Sequence, residues 1–136
     1  MPSLRNYHIL ISHSWDYNRH YETIKGWLNA SSYFQWTDYS VPITNPLNVN
    51  GVNELKQRIK DRISLCSCVI ILSGMYVAYS NWIDFEIDTA VAMGKPIIGV
   101  KPWGQERIPA KVQNNAVIMV GWNSSSVVEA VRKYAL

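Results

Sequence analysis

The chain has 136 residues, enough for one domain with a substantial core and too few for two. Hydrophobic residues make up 48% and charged residues 17%, which excludes a disordered chain. The net charge of +3 comes from lysines and arginines interleaved with acids, not from the basic block that nucleic acid selects. Met1–Asn6 leads straight into a short apolar run, with no signal-peptide or membrane-span stretch, so the expectation is one cytoplasmic domain over residues 1–136, without nucleic-acid or membrane partners.

In chain order, Tyr7–Ser12 has the composition of a buried strand, and Asp16 is placed to cap a helix bearing Tyr21, Ile24, Trp27 and Leu28 on one face. A weaker strand follows at Tyr33–Thr37. Asp38–Gly51 has Pro42, Pro46 and three asparagines but no period, and is expected to be a functional or mobile loop. Val52, Leu55, Ile59 and Ile63 mark an amphipathic helix, and Cys68–Ser73 the next strand. Ser80 or Asn81 is expected to cap a helix running to Met93, with Gly94 as its stop. Strands at Pro96–Val100 and Ala116–Val120 follow, and Ser126 with Glu129 forms a capping-box pattern before Val127, Val128, Val131 and Tyr134. Cys66 and Cys68 read as small buried thiols, and no metal is assigned.

Near-continuous apolar strands alternating with amphipathic helices imply a doubly wound α/β fold, its parallel sheet covered on both faces. Ligands of such sheets bind beyond the carboxyl ends of the strands, where the strand order reverses. In a 2-1-3-4-5 order that crevice sets Ser12-His13-Ser14-Trp15 opposite Ser73-Gly74-Met75-Tyr76, with the helix from Asn81 following directly.

On a helical wheel, Trp82, Ile83, Ala90 and Met93 fall within about 60° of Glu86, while Asp84 and Asp88 lie about 160° away. A carboxylate centred in an apolar arc needs a partner or a wet cleft. One reading is a satisfied buried acid, bonded to a backbone amide or to Arg5 or Lys101. The other is that Glu86 lines the crevice, with Trp82 one turn earlier as a stacking ring. O-glycoside hydrolysis usually takes two carboxylates. A glycosidic bond to a cationic nitrogen, as in NAD, leaves as neutral nicotinamide and needs no general acid, so one carboxylate suffices to stabilise an oxocarbenium-like transition state.

His8-Ile-Leu-Ile-Ser-His-Ser-Trp15, Trp36-Thr-Asp-Tyr-Ser-Val-Pro42 and Ser80-Asn-Trp-Ile-Asp-Phe-Glu86 resemble the TIR-like domains of bacterial Thoeris anti-phage systems over almost the whole chain. Trp82-x-x-x-Glu86 looks like the Trp-x-x-x-Glu pattern of enzymatic TIR domains, whose glutamate is essential for cleaving NAD. The resemblance implies a flavodoxin-like TIR fold with a five-stranded parallel sheet of order 2-1-3-4-5 and helices on both faces. It also implies an NAD+ nucleosidase or cyclase whose cyclic or conjugated ADP-ribose signal is read by a separate effector protein. By this analogy Glu86 is catalytic, Ser12, His13 and Trp15 border the nucleotide, and Asp38–Pro46 is the loop that often governs TIR self-assembly. NAD+ is then a substrate, and no cofactor is expected.

Ser73 and Tyr76 join the substrate-binding candidates through their place at the crevice. Trp36 and Tyr39 flank the irregular loop, where they either stack on a base or pack the loop down. His13 follows the first strand with no paired nucleophile. Lys101, Arg107 and Lys111 either meet a pyrophosphate or form a solvated face. Two alternatives remain open: a non-catalytic TIR interaction module, and a nucleoside deoxyribosyltransferase-like enzyme using a glutamate nucleophile. Neither the acidic constellation of a phospho-receiver nor a Gly-rich phosphate loop is present.

Overall fold

The computed structural model describes residues 5–14, 18–40, 42–43, 49–72, 76–101 and 109–136. In chain order the elements are β1 (Asn6–Ser14), α1 (Asn18–Ala30), β2 (Gln35–Asp38), β3 (Pro42–Ile43), α2 (Val49–Leu65) and β4 (Cys68–Leu72). There follow α3 (Tyr76–Ala92), β5 (Ile97–Val100), α4 (Ala110–Asn115), β6 (Ile118–Val120) and α5 (Ser124–Tyr134).

Five strands form a parallel sheet of order β2-β1-β4-β5-β6, the 2-1-3-4-5 arrangement expected. The sixth, β3, adds a two-residue pairing at the end of β1, His13 with Pro42 and Ser14 with Ile43. Helices α1 and α5 pack together on one face of the sheet, and α2, α3 and α4 on the other. Every residue of β4 and β5 is buried, as is required of central strands covered on both sides. Ile9, Leu10, Ile11, Ile70, Ile71 and Leu72 form the middle of the core.

Several local expectations are corrected. Helix α3 starts at Tyr76, five residues before Asn81, so Ser80 and Asn81 lie within it; nothing between Tyr76 and Asn81 breaks a helix. The α5 cap is Asn123, not Ser126: Asn123 is extended, and its Oδ1 accepts the Ser126 N–H at 2.8 Å. The weak strand begins at Gln35, because Tyr33 takes a left-handed φ of 55° in the preceding turn. The irregular stretch holds β3 and the first turn of α2, and α4 had no recognised sequence signal. Gly94 ends the α3 region with φ 69°, a conformation glycine adopts freely. Asp16 lies outside the described residues.

Among the described residues no helix is long and apolar enough to cross a membrane.

Candidate functional site

Helix α3 meets the sheet through Ile83, Ile87 and Ala90, which are fully buried at the i, i+4 and i+7 spacing of one helical face. Glu86 falls in the same stripe and is 1% exposed. Its neighbour comes from β1, an interior strand beside β4. Ser12 lies beside Ile71 of β4, two residues from the end of β1, and is also 1% exposed. Leu10 and Ser12 share one face of β1, opposite Ile9 and Ile11. The Ser12 hydroxyl donates to Glu86 Oε1 at 2.9 Å.

The electrostatics follow from this enclosure. Among the described residues no cation stands against Glu86; Arg5 lies over the Tyr7 ring, 4.5 Å from its centroid. Burial disfavours the charged form and pushes the Glu86 carboxyl up to about 8, while the Ser12 hydroxyl pulls weakly the other way. At neutral pH the carboxyl is mostly protonated. A cationic group brought beside it would restore the charge, because an opposite charge at close range offsets desolvation. The pair is therefore suited to a ligand that carries or develops positive charge.

The other candidates are distributed as follows. Trp82, one turn before Glu86, is half-buried and packs on the core. His13 belongs to β1 through its backbone pairing with Pro42, and Tyr76 opens α3. Trp15 and Ser73 lie outside the described residues. Trp36 aligns with Tyr7, five residues before Ser12 and about 16 Å along the strand, and its Nε1 donates to Asn29 Oδ1 at 2.7 Å. Tyr39 packs on His8 with centroids 5.1 Å apart, under the Arg62 guanidinium. The structure thus brings Ser12 and Glu86 together, with Trp82 alongside, and attaches Trp36 and Tyr39 to other partners.

Elsewhere, Lys111 Nζ binds Asp88 Oδ1 at 2.6 Å, and Trp27 and His20 pack edge-on against Trp122. Cys66 and Cys68 are free and buried, and burial pushes each thiol up to about 12, which makes them inert. Among the described residues no group of three or more His, Cys, Asp or Glu could hold a metal. A hollow of about 270 Å³ between Ser32, Ser124 and Arg132, and another of about 250 Å³ under Lys133 and Tyr134, both lie away from Glu86.

Sequence reasoning missed one polar group. The Tyr21 hydroxyl donates to Asp38 Oδ2, the Ser40 N–H donates to Asp38 Oδ1 at 2.9 Å, and the Ile11 N–H donates to Ser40 Oγ at 2.8 Å. The Asp-x-Ser spacing of an Asx turn was its only signal.

The strand order, the layering and the buried acid at the carboxyl half of the central strands define a flavodoxin-like α/β domain. The sequence model of the family described as "Thoeris protein ThsB, TIR-like domain" matches residues 10–107, and the chain belongs to that family. Its fold is similar to that in the "Structure of Clostridium botulinum CMP N-glycosidase, BcmB". The TM-score is 0.55 at 14% sequence identity, over 92% of this chain and 98% of that one. No curated protein matches the chain.

Proposed function

We propose that the domain cleaves the bond between nicotinamide and ribose in NAD+, with Glu86 as the catalytic carboxylate. The observation that carries this reading is the buried Glu86–Ser12 pair, an acid with a hydroxyl partner and, among the described residues, no cation beside it. The nicotinamide ring nitrogen of NAD+ is positively charged, so its arrival favours the ionised form of Glu86. As the C1′–N bond breaks, its electron pair stays with nicotinamide, which leaves neutral. The positive charge passes to the ribose, where the carboxylate stabilises it electrostatically. No general acid is needed. On this reading Trp82 shapes the substrate site, and Ser12, His13, Trp15, Ser73 and Tyr76 border the substrate; NAD+ is consumed, and no cofactor enters. Membership of the Thoeris family supports release of the ADP-ribose moiety as a cyclic or conjugated signal for a separate effector, with self-assembly of the domain.

A second reading is favoured by the protonated state of Glu86 at neutral pH. A neutral carboxyl can give its proton to a neutral leaving base, as cleavage of a pyrimidine nucleotide requires. The shared fold of a CMP N-glycosidase makes that class of bond compatible with this architecture.

The pH dependence separates the two. A carboxylate that stabilises positive charge makes kcat/KM for NAD+ rise towards pH 8; a carboxyl that donates its proton makes kcat/KM for CMP fall over the same range. Chromatography of the assembled protein, taken from phage-infected cells and incubated with NAD+, is expected to show nicotinamide release that Glu86→Gln abolishes. Release that survives Glu86→Gln, or cleavage of CMP alone, would overturn the first reading.

A further inference from the structure

We propose that Tyr21 and Asp38 are positioning residues which, through Ser40, hold the Ser12 segment of β1 in register with Glu86. The inference rests on the reading of Glu86 as the working acid, and its observations are hydrogen bonds remote from that acid.

The outer side of β1 is paired in two separate pieces. β2 pairs with Asn6 to Ile9, and β3 pairs with His13 and Ser14. Between them lies Leu10–Ser12, the stretch that contains the residue bonding Glu86. Among the described residues two irregular bonds bridge it: the Tyr39 N–H donates to the Ile9 carbonyl at 2.8 Å, and the Ile11 N–H donates to the Ser40 side chain at 2.8 Å. A hydroxyl on a rotatable side chain thus takes the place of a strand carbonyl. It holds β1 firmly only if Ser40 is itself held.

Asp38 holds it. One carboxylate oxygen accepts the Ser40 N–H and the other accepts the Tyr21 hydroxyl, so both are engaged. Tyr21 is 9% exposed and sits one turn before Ile24 and two before Leu28, both fully buried, which ties the acceptor to a helix that cannot shift without opening the core. The connection runs from α1 to Asp38, to Ser40, to the Ile11 amide, and the next residue along the backbone is Ser12. Burial and the neighbouring Asp38 raise the Tyr21 phenol above its ordinary range. The phenol therefore remains a donor throughout physiological pH, and the connection is a permanent brace.

The surroundings of Glu86 allow a clean readout. On α3 and the described elements packed against it, Lys56 and Lys60 of α2 lie over Phe85, Lys111 of α4 binds Asp88, and β4 contributes only apolar residues and Cys68. Asp84 lies on the other side of α3. Near Tyr21 stand Glu22 and Lys25, and near Tyr39 stands Arg62.

The test uses the whole chain carrying Tyr21→Phe, Asp38→Asn or Ser40→Ala, each with and without Glu86→Gln. Denaturant unfolding from pH 5 to pH 9 gives, by difference within each pair, the midpoint at which Glu86 loses its proton. If the brace sets the Ser12–Glu86 bond, each variant moves that midpoint upward towards the Ser12→Ala value, a weakening of the charged form by about tenfold per pH unit. Nicotinamide release is expected to lose about tenfold in kcat with little change in KM. A midpoint that stays at the wild-type value in all three variants, with a uniform loss of stability at every pH, would overturn the proposal. Ser40→Ala removes only a hydroxyl, so it keeps the test open should Tyr21→Phe not fold. The midpoint is read without substrate, so a wild type that never releases nicotinamide refutes the catalytic reading separately.

Discussion

Helix α3 carries three carboxylates between residues 84 and 88, and its two faces treat them in opposite ways. Asp88 has 66% of its side chain exposed and holds Lys111 in a surface ion pair. Glu86, two residues away, is 1% exposed, has a serine hydroxyl for company, and is pushed up to about 8. Both side chains are carboxylic acids on the same helix. Rotation by about 160° around the axis separates a charge that water carries at little cost from one that the protein must discharge or compensate. The outer acid is an ordinary solubilising group; the inner one is held in a state that a cationic ligand can convert.

The sharpest way to break this contrast is to remove the inner acid's charge while keeping its shape. Glu86→Gln is expected to lower nicotinamide release at least about 10³-fold, equivalent to about 4 kcal/mol of transition-state stabilisation. Single-turnover chromatography checks it, and a loss below tenfold would remove Glu86 from the chemistry.

The same substitution should act in the opposite direction on stability. Glu86 is raised from an ordinary value of 4.5 to about 8 in the folded chain, so folding favours its protonated form. That contribution is fully present below pH 4.5, declines as pH rises, and is lost once pH passes about 8. A glutamine has no proton to lose. Glu86→Gln is therefore expected to be more stable than wild type by about 3 kcal/mol at pH 7 and about 5 kcal/mol above pH 9, with no gain near pH 4. Urea unfolding across this range checks the sign, and a pH-independent difference would show that the acid is solvated.

Ser12→Ala tests the other half of the pair. The hydroxyl favours the charged carboxylate, so its loss leaves an acceptor without a donor and raises Glu86 further. The expected cost is about 1–3 kcal/mol, larger at pH 9 than at pH 5. A cost that shrinks with rising pH would mean that Ser12 serves the neutral form.

Much of this contrast was legible in the sequence because it depends on a period. Ile83, Glu86, Ile87 and Ala90 define the inner face whatever residue begins the helix, so placing the start at Asn81 instead of Tyr76 left the anomaly of Glu86 intact. The strand order was equally accessible, since parallel apolar runs joined by helices admit few arrangements. Met93, which the wheel placed beside Glu86, is 40% exposed because the helix ends at Ala92 and the period no longer applies. The partner of Glu86 was not legible. Arg5 and Lys101 were the cations offered by the reading of Glu86 as a satisfied buried acid, yet Arg5 stacks on Tyr7 and a serine 74 residues away supplies the bond, a pairing set by the register of β1 on β4. The Tyr21–Asp38–Ser40 brace was hidden for the same reason, since only the folded chain brings α1 onto the end of β2.

The smallest expected effect belongs to the outer face, and it serves as a control for the rest. The Lys111–Asp88 bond is short, yet both side chains are substantially open to water, where Coulomb attraction is screened and ordering two side chains consumes most of the gain. Asp88→Asn is expected to change stability by less than about 0.5 kcal/mol, with the difference vanishing as salt is raised. It should leave nicotinamide release within twofold of wild type. Because Asp88 and Glu86 differ by one methylene and two positions, a variant at Asp88 that matched Glu86→Gln in either assay would mean that the acids of α3 act together as one charged surface, and the division between the two faces would fail.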